Sequence, residues 1–258
     1  MNATAPYIVG IDLGTTNSAL SYVDRTTAAA HAQCEVRTLP IPQLTAPGEI
    51  KALPVLPSFV YLPEASDEDF ELLRLPWQGT VAGTSPCPDP PVVTGTYARE
   101  RATEVPSKVV ASAKSWLCVE SVDRHSPVLP YDRNPVPRQL SPVRAVCHIL
   151  EHLRDAWNHA FADSNDRLSL AQQEVYLTVP ASFDAVARQL TVEAAKQAGL
   201  AVKLLEEPQA AFYAWLQAQG EEWRREVSPG DRILVCDIGG GTTDFSLIPV
   251  QDRDGDLE

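Results

Sequence analysis

The sequence predicts a mixed α/β fold with a subdomain inserted into its first part. Two strand-loop-strand units lie near opposite ends of the chain, at residues 7–23 and 232–250. Strands and helices alternate between residues 141 and 215. Proline-rich, less regular sequence separates the first unit from this alternating part. Alternation of strands and helices is typical of a sheet covered by helices, and a long irregular segment between such elements indicates an insertion.

The first half of the chain is expected to begin with two strands around a glycine turn. Prolines and glycines then predict irregular structure from residue 40 to 95, interrupted by one strand. A second proline-rich irregular segment precedes the alternating part. The predicted elements are strands at 7–12, 18–23, 34–39 and 58–62, helices at 96–104 and 106–118, and the irregular segment at 121–140.

The second half contains the clearest helix. Ser141 and Pro142 form a typical cap and first turn. The apolar residues that follow at helical spacing predict a helix to about residue 163 with one buried stripe, formed by Val146, Leu150, Leu153 and Trp157. The later predicted elements are strands at 174–179 and 201–205, helices at 183–198 and from Glu207 through Trp215, and strands at 232–237 and 243–250.

Composition excludes several classes of protein. The chain has 258 residues and a net charge of −13, which argues against a general nucleic-acid surface because phosphate backbones need dense Lys and Arg. No apolar run approaches the roughly 20 residues of a membrane helix, and residues 1–6 do not resemble a secretory signal. The cysteines are odd in number and form no C-x-x-C pair, which favours reduced thiols and a cytoplasmic location. They are Cys34, Cys87, Cys118, Cys147 and Cys236.

The two strand-loop-strand units repeat one motif. V-G-I-D-L-G-T-T-N-S-A-L near the start matches V-C-D-I-G-G-G-T-T-D-F-S-L near the end. Each copy has an apolar strand, an Asp, a glycine turn, two threonines and a second strand, and such self-similarity indicates two related halves. A single copy would be interpreted as an ordinary hairpin turn. Two copies with the same order of residues argue against a chance match to a phosphate-binding motif.

These residue types suit phosphate binding. Glycines allow the backbone to approach a ligand closely, and successive N–H groups form a concavity for phosphate oxygens. Asp12 and Asp237 can hold the water shell of Mg²⁺. The sequence contains neither of two other common phosphate-binding motifs, the G-x-x-x-x-G-K-[ST] loop and the strand-to-helix G-x-G-x-x-G loop. The remaining candidate nucleotide-binding residues are Gly14, Thr15, Thr16, Asn17, Gly239, Gly240, Gly241 and Thr243.

In these loops and in two further segments, the sequence resembles the heat-shock protein 70 (DnaK-type) chaperones of the actin-like ATPase superfamily. G-I-D-L-G-T-T-N-S and D-I-G-G-G-T-T-D-F-S are similar to that family's two phosphate motifs. The segments L-T-V-P-A-S-F-D-A-V-A-R-Q and L-L-E-E-P-Q-A-A-F-Y-A-W also resemble the family, in the same order. The resemblance implies an actin-like ATPase (ribonuclease H-like) fold that binds ATP or ADP with Mg²⁺.

The resemblance also implies a domain arrangement. Residues 1–228 would form the first lobe, with the inserted subdomain at about 53–137, and residues 229–258 would begin the second lobe. The segments 63–95 and 121–140 depart from the family pattern, which indicates a divergent member. We expect the chain to be the front part of a longer protein, and to bind ATP weakly or not at all by itself.

Individual roles follow from the same resemblance. Lys114, Glu207 and Thr242 are the candidate catalytic residues, and Pro180 and Arg188 would relay the nucleotide state. Each also has a plain structural interpretation. Without the resemblance, Lys114 would be interpreted as a solvated helix lysine and Glu207 as a carboxylate at a helix N-terminus. Pro180 would be interpreted as a strand terminator.

A separate motif, His148-Ile149-Leu150-Glu151-His152, matches the H-x-x-E-H pattern of some zinc peptidases. Two histidines one helical turn apart could hold zinc. No third ligand stands out, so we interpret the motif as a partly exposed helix face rather than a metal site.

Three functions remain open. The first is the ATPase module of a chaperone, whose partners would be unfolded polypeptides, a J-domain co-chaperone and a nucleotide-exchange factor, with no nucleic acid or membrane. The second is a non-catalytic regulatory or exchange-type relative that binds nucleotide. The third is a small-metabolite kinase of the same superfamily, which the E-E-P-Q-A-A-F-Y segment disfavours.

Overall fold

The computed structural model describes residues 5–28, 35–67, 69–78, 91–132, 134, 136–162, 165–253 and 256–257. Cys34, Cys87 and most of the proline cluster at 86–91 lie outside these residues. The helices are α1 Arg25–Ala28, α2 Thr96–Glu104, α3 Ala113–Trp116, α4 Pro142–Phe161, α5 Ala185–Gln197, α6 Glu207–Gln219 and α7 Trp223–Glu226. The strands are β1 Tyr7–Leu13, β2 Asn17–Asp24, β3 Arg37–Thr38, β4 Ile41–Ala46, β5 Glu49–Leu53, β6 Leu56–Pro57, β7 Phe59–Tyr61, β8 Val93–Thr94, β9 Val109–Ala111, β10 Glu174–Val179, β11 Val202–Glu206, β12 Arg232–Ile238, β13 Thr243–Pro249, β14 Asp252–Arg253 and β15 Asp256–Leu257.

A mixed sheet forms the centre of the molecule. Its strands lie in the order β11-β10-β1-β2-β3, and β6 pairs with β2. β1 is antiparallel to β2 and parallel to β10, which is itself parallel to β11. The parallel strands are connected through helices, so the predicted α/β class is confirmed.

Helices α4 and α5 cover one face of this sheet. Alternate residues of β1 (Val9, Ile11 and Leu13) are fully buried in the same cluster as the apolar stripe of α4. The stripe is as predicted, because all four of its members are 0% exposed. The Ser141 side chain accepts a hydrogen bond from the Arg144 N–H (3.2 Å), so the predicted cap is also confirmed.

A second, smaller cluster lies beside this core. It joins the three-stranded sheet β8-β7-β9, the β4–β5 hairpin and α2. The extent of the inserted subdomain, at about 53–137, stays a prediction. The buried members of the cluster are Leu44, Tyr61, Leu73, Leu75, Val93, Tyr97, Ala98 and Val109.

Two element predictions in this region were wrong. The segment predicted as irregular contains the β4–β5 hairpin, whose turn is made by Pro47 and Gly48 with a φ of 73° at Gly48. Pro42 lies within β4, and a proline is tolerated there because β4 has a strand neighbour on one side only. The helix predicted at 106–118 is interrupted by β9, because Val109 and Val110 pair with β7 and bury their side chains.

The β12–β13 hairpin pairs residues Arg232 to Ile238 with Thr243 to Pro249 and contacts α6. One of its faces is apolar and more than half exposed. The exposed apolar side chains of the hairpin are Leu234, Ile238, Phe245 and Leu247.

Within the described part of the chain, no helix is long and apolar enough to span a bilayer.

The H-x-x-E-H motif is buried, so its interpretation as a partly exposed helix face was wrong. His148, Glu151 and His152 are 6–7% exposed. A hydrogen bond joins His148 Nδ1 and Glu151 Oε2 (2.9 Å), and His152 Nε2 donates to the Pro42 carbonyl (2.9 Å). The ring of Trp77 lies edge-on to His152 at 5.4 Å. The motif therefore joins α4 to the β4–β5 hairpin.

Burial lowers the pKa of His152 to about 4, from 6.5. The unfolded chain binds this proton more readily than the folded chain, so its stabilising effect is present above pH 6.5 and is lost as the pH falls towards 4. We expect the free energy of unfolding to drop by about 2 kcal/mol between about pH 7.5 and pH 5.

Urea unfolding at the two pH values measures this drop. His152→Gln is the matched control, because its amide can still donate to the Pro42 carbonyl but does not titrate. The variant should lose most of the drop. The same pH dependence in both proteins would contradict the assignment to His152.

Candidate functional site

The first glycine-threonine loop connects β1 to β2 at residues 14–16. Gly14 is required there, since a Cβ would collide with the Asn17 carbonyl oxygen. Ser58 supports the loop from outside: its N–H donates to the Thr16 carbonyl and its hydroxyl to the Gly14 carbonyl, both at 2.8 Å. Asn17 begins β2 and is exposed.

The second loop connects β12 to β13 at residues 239–242. The Gly239 N–H donates to the Thr242 carbonyl (2.9 Å), which closes the turn, and Thr243 begins β13. Gly240 and Gly241 are exposed and do not lie in the left-handed region.

The two loops face each other. A Cβ added to Gly240 would lie 2.9 Å from Thr16 Cβ, and one added to Gly241 would lie 3.3 Å from Thr15 Cγ2. These residues come from opposite ends of the chain, so the fold brings both predicted phosphate loops into direct contact. Glycine at 240 is what allows this approach.

Lys114, which is buried, and Glu207, which is partly buried, form an ion pair beside the loops. Lys114 Nζ donates to Glu207 Oε1, and the two side chains are 5% and 15% exposed. Lys114 is therefore not a solvated helix lysine. Its ammonium also lies 5.8 Å from the centre of the Phe183 ring.

The carboxylates near this pair repel one another. Burial is the main cause that raises the pKa of Glu207, and the charges of Asp237 and Asp12 raise it further, against the opposing effect of Lys114. Asp12 is exposed at the end of β1, and Asp237 is half-buried in β12. Asp12, Asp237 and Glu207 together carry up to three negative charges against one positive charge.

This donor set fits a divalent cation and a polyphosphate. Carboxylates suit the water shell of Mg²⁺, and their excess negative charge favours a cation. The two loops provide backbone N–H groups and threonine hydroxyls for phosphate oxygens. Asp12 and Asp237 would hold the metal's water shell, and residues 14–17 and 239–243 would hold the phosphates.

Three predicted residues lie apart from the Lys114–Glu207 pair. Among the described residues, Thr242 makes no side-chain hydrogen bond to either member of the pair. Pro180 is buried and directly follows β10. The Arg188 guanidinium donates to Glu206 Oε1 (2.7 Å) and to the carbonyls of Phe183 and Ala181. Arg188 thus joins the segment after Pro180 to the residue that precedes Glu207.

Two residues that support the loops were missed in the sequence. Ser58 contacts the first loop, and Thr178 Oγ1 donates to Asp12 Oδ1 (2.8 Å). Ser58 carries no motif. Thr178 lies in the L-T-V-P segment, and only the pairing of β1 with β10 reveals its neighbour.

The chain is similar to known proteins over most of its length. A family model described as "Hsp70 protein" matches residues 92–258. The "Chaperone protein HscA homolog" of Mannheimia succiniciproducens is 31% identical over 253 residues, which cover 93% of this chain and 32% of that protein. The HscA homolog of Pasteurella multocida is 30% identical with the same coverage, and "Chaperone protein HscA" of Serratia proteamaculans is 31% identical over 252 residues, again covering 93% of this chain and 32% of the relative. The chain thus spans about a third of the length of these curated relatives. It belongs to the Hsp70 family.

Proposed function

We propose that this chain forms the phosphate-binding part of an ATPase site in an Hsp70-type chaperone. The observation that carries the proposal is the contact between the two glycine-threonine loops, with the Lys114–Glu207 pair and two further carboxylates beside them. Residues 1–228 would be the first lobe of an actin-like ATPase domain and residues 229–258 the beginning of its second lobe. The exposed apolar face of the β12–β13 hairpin agrees with an element that belongs to a larger lobe.

Each part of the proposed site would have its own role in binding and hydrolysing ATP. Backbone N–H groups of both loops bind the phosphates, and the hydroxyls of Thr15, Thr16, Thr242 and Thr243 assist them. Bound Mg²⁺ would supply positive charge against the phosphate oxygens. Lys114 would add a second positive charge, while Glu207 holds Lys114 and orients the attacking water. Phosphoryl transfer depends mainly on such positioning and charge neutralisation.

In the whole protein, ATP binding and hydrolysis would control the binding of unfolded polypeptide. Arg188 supports this proposal, because it links the segment after Pro180 to Glu206, the neighbour of Glu207. Through these contacts, a change at the phosphates would reach the segment that follows Pro180. A J-domain co-chaperone and a nucleotide-exchange factor are the proposed partners, and the cytoplasm is the proposed location.

The proposal is tested with a ligand that needs only the phosphate loops. Inorganic tripolyphosphate with Mg²⁺ should bind the 258-residue chain, and Gly240→Ala should weaken its binding about tenfold or more, because the new Cβ collides with Thr16 and separates the loops. Isothermal calorimetry measures both affinities.

Gly10→Ala is the control, since a Cβ at Gly10 meets nothing nearer than the Ser21 carbonyl oxygen at 4.0 Å. It should bind tripolyphosphate as the unmodified chain does. ATP with Mg²⁺, measured in the same way, tests whether the nucleoside adds affinity. If the unmodified chain shows no Mg²⁺-dependent binding of tripolyphosphate, the proposed site is wrong.

A further inference from the structure

The Asp12 carboxylate is held by a neighbouring strand. Thr178 Oγ1 lies 2.8 Å from Asp12 Oδ1, across 166 positions of sequence. An ionised carboxylate can only accept, so the threonine hydroxyl is the donor. Among the described residues, this is the only side-chain hydrogen bond to Asp12.

The register of the sheet makes this contact a fixed feature. Ile11 of β1 lies opposite Leu177 of β10, and both side chains are fully buried beneath α4 and α5. Side chains alternate between the faces of a sheet, so Asp12 and Thr178 lie together on the opposite face. Their approach follows from strand pairing and does not depend on loop conformation.

We propose that Thr178 is a positioning residue for the Asp12 carboxylate, and that it thereby sets the affinity of the site for Mg²⁺. This inference rests on the proposed nucleotide site. The hydroxyl holds Oδ1, which leaves Oδ2 to accept hydrogen bonds from the water shell of a bound cation. Hydrogen bonds from outside a metal site that orient its carboxylates contribute strongly to metal affinity.

Electrostatics explains why Asp12 needs such a partner. The charges of Asp237 and Asp12 both raise the pKa of Glu207, so the three carboxylates lie in one region of negative charge. Lys114 is already paired with Glu207. The bond from the Thr178 hydroxyl fixes the Asp12 carboxylate against rotation within this negatively charged region.

Two substitutions separate a positioning role from simple packing. Thr178→Val removes the hydroxyl but keeps the branched shape that suits a strand. Thr178→Ser keeps the hydroxyl and removes the methyl group. Thr191→Val is the matched control, because it removes a hydroxyl that donates to the Ala187 carbonyl within α5, away from the loops.

The experiment measures how Mg²⁺ concentration controls the binding of tripolyphosphate, by calorimetry on the 258-residue chain. Thr178→Val should raise the Mg²⁺ concentration for half-maximal binding about tenfold. Thr178→Ser and Thr191→Val should leave that concentration within about twofold of the unmodified chain. Thermal unfolding without ligand, measured alongside, verifies that each variant is folded.

The outcomes distinguish this inference from the proposed function. Mg²⁺-dependent binding that Thr178→Val leaves unchanged overturns the positioning role and leaves the site intact. An equal shift in Thr178→Ser and Thr178→Val also overturns it, because the methyl group would then be responsible. If the unmodified chain shows no Mg²⁺-dependent binding, the proposed site and this inference fail together.

Discussion

Replacing Lys114 with methionine is expected to lower the rate of phosphate release from ATP by about 100-fold or more. Methionine keeps an unbranched apolar side chain but removes the ammonium, which lies 5.8 Å from the centre of the Phe183 ring. In the proposed site, that ammonium is a fixed positive charge held in place by Glu207. A preorganised charge in a buried site stabilises a charged transition state more strongly than it would in water.

The substitution has a second consequence, because it leaves the partly buried Glu207 without its cation. Loss of one member of a buried ion pair destabilises a protein, and here the pKa of Glu207, already raised by burial and by Asp237 and Asp12, should rise further. Adding Glu207→Gln removes the unpaired charge. The double variant should recover stability relative to Lys114→Met but should not recover phosphate release.

Phosphate release from ATP is measured on the whole protein, and stability is followed by urea unfolding. Lys114→Arg is informative as well, since it keeps the charge but replaces a compact ammonium with a planar guanidinium. Background rates in both the unmodified protein and Lys114→Met would favour the non-catalytic, nucleotide-binding alternative. Phosphate transfer to a small metabolite in place of water would favour the kinase alternative.

Local patterns explain which parts of this structure are predictable. The repeated loops and α4 were predicted correctly because each depends on neighbouring residues: glycines between strands in one case, and apolar residues at helical spacing in the other. The bounds of α2 and β10 agree for the same reason. The family resemblance assigned Lys114 and Glu207 to one proposed site, and the structure pairs their side chains.

Long-range contacts explain the errors. Val109 and Val110 follow a helical segment and read as its continuation, but pairing with β7 makes them a strand. His148 and His152 look suited to a solvent-facing surface, but both are buried, and His152 bonds to Pro42 of the β4–β5 hairpin. The bond between Thr178 and Asp12 depends on strand order, which local sequence does not encode. In each case tertiary packing outweighs local preference.

The largest expected effect on stability comes from Trp157→Ala. Trp157 is fully buried on α4 and packs edge-on against Tyr7 at 5.4 Å and Tyr22 at 5.3 Å, which belong to β1 and β2. Its indole N–H donates to the Leu168 carbonyl (2.8 Å). Removal of a buried tryptophan leaves a large cavity, and we expect the free energy of unfolding to fall by about 3–5 kcal/mol.

Urea unfolding of the 258-residue chain measures this loss, and two further variants assign its cause. Trp157→Phe keeps an aromatic ring but removes the N–H, so it should cost less than the alanine change and report the bond to Leu168. Trp223→Ala is the surface control, because Trp223 is partly exposed in the four-residue helix α7. Its cost should stay below about 1 kcal/mol.

The loss of stability should also affect the proposed site, since β1 runs from this aromatic cluster to Asp12 and the first loop. Trp157→Ala should weaken tripolyphosphate binding under conditions where the chain is partly unfolded, whereas Trp223→Ala should not. A Trp157→Ala chain as stable as the Trp223→Ala chain would show that the α4 stripe does not hold the sheet that carries the site.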